Sequence, residues 1–400
     1  MANSPSTASR DEPSRAFLDA VSGPLHPVAV QTLLAAVDAG WADPRRLHSE
    51  GRTARRLLDQ AREVLAVGLG VGPQEVCFAP DGPAGLRLAV DGLLYAGRRR
   101  GARLVASAVE HSAVLVPARA RAARSGDPAV LGTVPVDNLG RVDADDFADQ
   151  VRRPGTVVAA LQQANAEVGT IQPVAPVRAA CRAADVPLVV DAQATLGRLT
   201  PPEGYDVLVG DARSWGGPGG VGVLVLPERT RWSLPGAVDP DESLTGPTRH
   251  TPWVPLALAA AEAWQQTQSE RERDARTAFT LIEELRAAAS RVPDVDVVGD
   301  PVDRLPHVLT VSALYADGEA LVTALDRRGV AVASGSACTS STLEPSHVLA
   351  AMGALTHGNI RVTLPLQAVS PARAEHVRRL AAALPEVVAE VRASLGARAL

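Results

Sequence analysis

The groups best suited to chemistry in this chain lie in five short stretches, and none of them carries an amine. The apolar run Val186-Pro187-Leu188-Val189-Val190 leads into Asp191-Ala192-Gln193. That sets a carboxylate at the carboxyl end of a strand, where open α/β sheets bind ligands. A second stretch, Asp211-Ala212-Arg213-Ser214-Trp215-Gly216-Gly217, opens a glycine-rich turn before the apolar run 221–226. His111 stands in Val109-Glu110-His111-Ser112, and Cys338 in Ser334-Gly335-Ser336-Ala337-Cys338-Thr339-Ser340. Arg361 stands in Ile360-Arg361-Val362-Thr363. Carboxylate, imidazole, thiol and guanidinium serve proton transfer, nucleophilic attack and anion binding. Imine chemistry is closed to every side chain, because the 40 basic residues are all arginine and a guanidinium stays protonated and delocalised. Only the terminal amine remains. Drift toward arginine in a chain rich in Ala, Gly and Pro accounts for a lysine-free surface better than for a lost reactive residue. Taken singly, each stretch also has a structural reading: a satisfied histidine, a turn aspartate, a buried thiol, a surface arginine.

The elements that must position these groups alternate. Residues 55–69 repeat apolar positions at helical spacing, whereas 103–108, 156–161, 186–190 and 221–226 read as buried strands. Such alternation predicts a largely parallel sheet with helices on both faces. The Pro/Gly/Asp-rich stretch 234–249 interrupts it and either crosses between domains or reaches a partner. A long helix over 253–291 follows, then strand, helix and strand over 307–312, 318–328 and 330–333, and a last helix over about 371–395. The expected organisation is a tail over 1–15, a large domain over 16–245 and a small α+β domain over 246–400 that carries the cysteine stretch.

Composition excludes several classes. At 400 residues, 46% hydrophobic and 21% charged, the chain can bury a sizeable core, and no apolar run reaches membrane-spanning length. A net charge of −5 does not suit a general polyanion surface, and Arg98-Arg99-Arg100 reads as a solvated face in preference to a nucleic-acid patch. Cys77, Cys181 and Cys338 form neither an even framework nor a zinc-type pair, so no metal is expected, and a reducing cytoplasm is.

In their order along the chain these stretches resemble the cysteine desulfurases, pyridoxal-phosphate enzymes of the class V aminotransferase group with the type I fold. The resemblance runs from about residue 17 to the last helix and is most specific over 334–349. It implies a large domain with a mostly parallel mixed sheet and a smaller α+β domain. It also implies that His111 stacks on the cofactor ring and that Asp191 holds the pyridine nitrogen protonated, making the ring an electron sink. Cys338 would attack the substrate sulfur as a thiolate and carry the persulfide, and Arg361 would clamp the substrate carboxylate.

Departures from the family pattern cluster on the cofactor. Ser214 takes the place of the Schiff-base lysine, and its hydroxyl is a poor base that forms no imine. Asp211 replaces a phosphate-binding serine. Ala79-Pro80-Asp81-Gly82-Pro83-Ala84 replaces the phosphate cup, with two prolines that lack N–H donors and an added carboxylate. Ala194 stands where a glutamine contacts the cofactor's phenolic oxygen, and the adjacent Gln193 is displaced by one position. Of two paired asparagines only Asn165 remains. Arg213 either holds a phosphate or sulfate or pairs with Asp211, the latter favoured if Asp81 and Asp211 face one pocket. No covalently held cofactor is therefore expected, and the cup is expected to be closed to phosphate. The leading functional expectation is a persulfide relay through Cys338, accepting from a donor and passing to a sulfur acceptor protein. Alternatives are a non-catalytic subunit and a desulfurase that holds pyridoxal phosphate non-covalently. The chain is expected as a homodimer or as a heterodimer with an active desulfurase paralogue, with neither nucleic acid nor membrane as partner.

Overall fold

The strands are short, apolar and buried on both sides, as a sheet covered by helices on two faces requires. The computed structural model describes residues 15–40, 42–236, 247–334 and 345–396. Its main sheet has seven strands in the order β2 (Val76–Ala79), β8 (Gly222–Val225), β7 (Val207–Asp211), β6 (Leu188–Asp191), β5 (Thr156–Gln162), β3 (Arg103–Ser107) and β4 (Leu131–Val134). Neighbours are parallel except at β8, which runs antiparallel to β7 and to β2. The mixed, mostly parallel sheet expected from the sequence is present.

Helices α1 (Pro27–Asp38), α2 (Ser49–Leu69), α5 (Ala144–Val151) and α6 (Val174–Ala183) lie with the first half of α7 (Val254–Ala289) on one face. Helices α3 (Gly82–Gly97) and α4 (Ser112–Ser125) cover the other. A smaller unit follows. It holds an antiparallel sheet ordered β12 (Ala333–Ser334), β13 (Asn359–Thr363), β10 (Val308–Ala313), β9 (Val295–Val298), with α8 (Gly318–Arg327), α9 (His347–Ala351) and α10 (Arg373–Ser394). The two cores do not part at a single point in the chain. Leu18 packs in the smaller core and β1 (Ala16–Phe17) pairs with β11 (Val330–Ala331), while α7 gives its start to the large core and its end, Ala278 to Ala289, to the small one.

Two local features place the site. The 3-10 turn Ala212–Trp215 after β7 is pinned to α7, because the Trp215 indole N–H donates to the Ala260 carbonyl at 2.9 Å and its ring meets Trp264 edge-on at 5.1 Å. Removing either ring would cost about 3–5 kcal/mol. Gly222 pairs with Ala79 and with Asp211, and any Cβ there would strike the Asp81 backbone. The chain entering α3 therefore crosses directly over the ends of β7 and β8.

Candidate functional site

Parallel strands deliver their last residues to one edge, and Asp191 and Asp211 end β6 and β7 there. The first turn of α3 lies against that edge. A helix start presents backbone N–H groups without internal partners, which draws anions. Here the chain supplies the anions itself. Asp81 caps the helix, its Oδ1 accepting from the Ala84 N–H at 2.7 Å. Asp211 Oδ2 accepts from the Gly82 N–H at 2.8 Å, Pro83 has no N–H, and the Gly85 N–H donates to the Asp81 carbonyl at 2.9 Å. Asp211 in turn takes a two-pronged bond from Arg213, Nε to Oδ1 at 2.8 Å and Nη2 to Oδ2 at 2.9 Å. These bonds hold the half-buried Arg213 guanidinium above its ordinary pKa, with Asp81 adding to the effect.

A bound phosphate at this turn would have to expel Asp211 from four donors, the Gly82 and Arg213 N–H groups and the two prongs of the Arg213 fork, and approach Asp81. The residues present do not fit the cofactor phosphate implied by the resemblance. Gln193 closes the turn further: its backbone N–H donates to Asp191 Oδ1 at 2.9 Å, and its side chain lies so close to Gly82 that a Cβ there would collide with it. Its buried Nε2 has no hydrogen-bond partner among the described residues.

The remaining predicted groups surround two adjoining cavities of about 140 and 80 Å³ that share His111, Ala166, Gln193, Ala194 and Arg361. His111 caps α4, its Nδ1 accepting from the Ala113 N–H at 3.0 Å. Asp191 is buried, and burial raises its pKa while His111 and the backbone hydrogen bond of Gln193 oppose the rise. Ser214 lines the larger cavity, but its hydroxyl lies 2.8 Å from the Leu196 carbonyl and 2.9 Å from that of Asp211 and is spent on backbone. Asn165 holds a turn: Oδ1 accepts from the Glu167 and Val168 N–H groups, and Nδ2 donates to the Val109 carbonyl. Arg361, on β13 opposite Thr310 and Ala333, lines both cavities, and its buried Nε has no hydrogen-bond partner among the described residues. Cys338 lies outside the described residues. The described flanks of its stretch reach the same place, because Ala333 pairs with Arg361 and both Ser346 and His347 line the smaller cavity.

Four residues of the site escaped the sequence reading. Glu110 is fully buried, its Oε1 accepting from the Gln162 N–H at 2.9 Å and its Oε2 unpartnered; burial pushes its pKa up to about 8. Glu167 is pushed up to about 7, again by burial, against the pull of Ser346 and Arg361. Arg198 and His307 line the larger cavity. The signal for the two acids was position alone, one beside His111 and one two residues after Asn165. Arg198 and His307 carried none.

Three comparisons with known proteins bear on this geometry. The family model described as aminotransferase class-V matches residues 22–370. An IscS-like cysteine desulfurase of Mycobacterium tuberculosis is 33% identical over 368 residues, covering 87% of this chain and 91% of that protein. The cysteine desulfurase IscS of Dictyoglomus turgidum is 31% identical over 361 residues, covering 88% and 89%. Among solved structures, a NifS-like protein superposes with a TM-score of 0.78 at 23% identity, covering 92% of this chain and 99% of that one. The apo cysteine desulfurase of Thermococcus onnurineus gives 0.79 at 20% identity over 94% of each chain.

Proposed function

The chain belongs to the aminotransferase class-V family, and we propose that within it this protein is a cysteine desulfurase-like sulfur relay that works without pyridoxal phosphate. One observation carries the reading: the helix start that would take the cofactor phosphate is filled by Asp81 and Asp211, with Arg213 locking Asp211 in place. The sequence agrees with it, because no side chain can form the imine on which the cofactor's electron-sink chemistry depends. In this reading Ser214 is the vacated lysine position, and His111, Asn165, Asp191, Gln193 and Arg213 are remnants of the cofactor pocket.

The relay uses Cys338. Its thiolate attacks the terminal sulfur of a donor persulfide, the donor's sulfur–sulfur bond breaks, and the donor leaves as a thiolate with the electron pair. The same exchange in reverse passes the sulfur to an acceptor thiolate, so neither oxidant nor reductant is consumed. Incubating the protein with an active desulfurase and cysteine, with no cofactor added to this chain, is expected to add one sulfur to the Cys338 peptide by mass spectrometry. Cys338→Ser protein should carry none. A wild-type chain that never gains sulfane sulfur on Cys338 ends the proposal.

A second reading has its own observation. Val30, Leu34 and Val37 leave one side of α1 exposed, next to an apolar cleft of about 900 Å³ between α1, α2 and the start of α7. Contiguous apolar surface of this kind marks an interface. It supports a dimer, either of this chain alone or with an active paralogue whose site it completes or regulates. Native mass measurement after mixing with the paralogue decides it: a homodimer indifferent to the paralogue excludes the heterodimer.

A further inference from the structure

The larger cavity has more positive charge than the protein balances. Three arginines, Arg198, Arg213 and Arg361, line it against the single lining carboxylate Asp211, and His307, whose pKa burial and the neighbouring Arg198 push well below its ordinary value, lines it as a neutral imidazole. Asp211 is already spent on Arg213. Arg198 shares Asp274 with Arg373 on unequal terms. Arg373 bonds Asp274 Oδ1 at 2.8 Å, while Arg198 Nη1 stands 3.6 Å from Oδ2 and makes no hydrogen bond. The carboxyl group that acts on Arg361 is Glu167, and burial holds its pKa near 7, so it neutralises that guanidinium only in part.

These groups are also shut away from water. Arg198, Arg361 and His307 are 6%, 4% and 5% exposed, and among the described residues Arg198 Nη1, Arg361 Nε and His307 Nδ1 each lack a hydrogen-bond partner. Buried guanidinium without a counter-charge costs several kcal/mol, and buried polar atoms without partners add to that. An anion in the cavity supplies counter-charge to the guanidinium groups that line it.

We infer that this cavity binds a small multivalent oxyanion, held by Arg361 and Arg198 with His307 as a further polar contact. The guanidinium fork suits paired oxygens. A cavity of about 140 Å³ is far below the size of drug-like sites, which limits the ligand to a few atoms. Thiosulfate, sulfite, sulfate and phosphate share the required chemistry. The site is separate from the start of α3, whose donors are taken, and it does not depend on the relay reading.

The test is calorimetric titration of the full chain with each of the four oxyanions at constant ionic strength, with chloride as the control for screening. Saturable binding of at least one oxyanion and none of chloride is expected, and the tightest of the four identifies the source. Arg361→Gln should weaken binding about tenfold and His307→Asn by less, while Arg141→Gln, which alters a partly buried pair with Asp300 outside the cavity lining, should leave it unchanged. Because Arg198 also holds the Ser214 carbonyl through Nε at 3.0 Å, thermal shift in the Arg361 variant serves as the second readout: the oxyanion should raise the wild-type midpoint and not that of the variant. No saturable binding of any of the four, or equal affinity in wild type and both cavity variants, overturns the inference. Repeating the titration with Cys338→Ser separates the two ideas, since that chain should still bind the anion while losing the persulfide.

Discussion

The start of α3 and the cavity beside Arg361 share Asp211 and Gln193 as a common wall, yet they settle their charges in opposite ways. At the helix start the Gly82 and Ala84 N–H groups and the Arg213 fork each meet a carboxylate of the chain, and the Gly85 N–H meets the Asp81 carbonyl. In the cavity, Arg198 Nη1, Arg361 Nε and His307 Nδ1 have no hydrogen-bond partner among the described residues. A region that satisfies itself has become structure and gains nothing from a ligand. A region with unmet polar atoms is still arranged around something that is not protein. The two neighbouring regions thus differ: one, the closed half, is filled by the chain's own carboxylates, and one, the open half, keeps unmet polar atoms.

The largest expected effect comes from worsening the open half. Asp274 is the counter-charge for both Arg198 and Arg373 and also accepts from the Gln367 N–H at 2.8 Å. Asp274→Ala should cost about 3–5 kcal/mol in denaturant unfolding, because it leaves two buried cations unpaired. Added sulfate should recover part of that loss if the cavity takes an oxyanion. Next in size is the closed half. Asp211→Ala frees the Gly82 N–H and the Arg213 fork, but Arg213 is only half-buried and water screens it, so about 2 kcal/mol is expected. The same variant should gain affinity for inorganic phosphate, read by calorimetry. If it gains none, the carboxylate is not what closes the turn.

Much of the closed half is legible in the sequence, because its parts are local. Asp211 and Arg213 are two residues apart, Asp81 and Pro83 announce a helix start, and the apolar runs around 186–190 and 221–226 read as strands because both their faces are buried. The open half is not. Arg198 follows β6 in a turn, Asp274 sits in the middle of α7, His307 precedes β10 and Arg373 begins α10, so their meeting exists only after both cores have formed. Glu110 and Glu167 hid for a related reason. A glutamate next to a strand end reads as solvated, and only the fold shows that it is covered.

Glu110 gives a smaller prediction on the open side. Its folded pKa near 8 lies above the ordinary 4.5, so the unfolded chain releases the proton first as pH rises. The stability it contributes is therefore full below about pH 4.5 and is lost between there and pH 8. Glu110→Gln keeps an acceptor for the Gln162 N–H and removes the titration. Thermal midpoints of the variant should fall less steeply from pH 5 to pH 8 than those of wild type. Identical slopes would show that the buried acid carries no such cost.

The smallest effect is expected at Ser214. Ser214→Lys returns an amine to the wall of the larger cavity, and on a lysine-centred view it should revive cofactor binding. The closed helix start predicts otherwise. Gly82, Ala84 and Gly85 would still spend their N–H groups on Asp211 and Asp81, so a phosphate would find no donor and two carboxylates. Titrating this variant with pyridoxal phosphate should leave the visible spectrum as the sum of its components. The double variant Ser214→Lys with Asp211→Ser removes the blocking carboxylate and frees the Gly82 N–H, and a saturable spectral change is expected there. A saturable change in Ser214→Lys alone would mean that the lysine was the sole loss and that the helix start never closed.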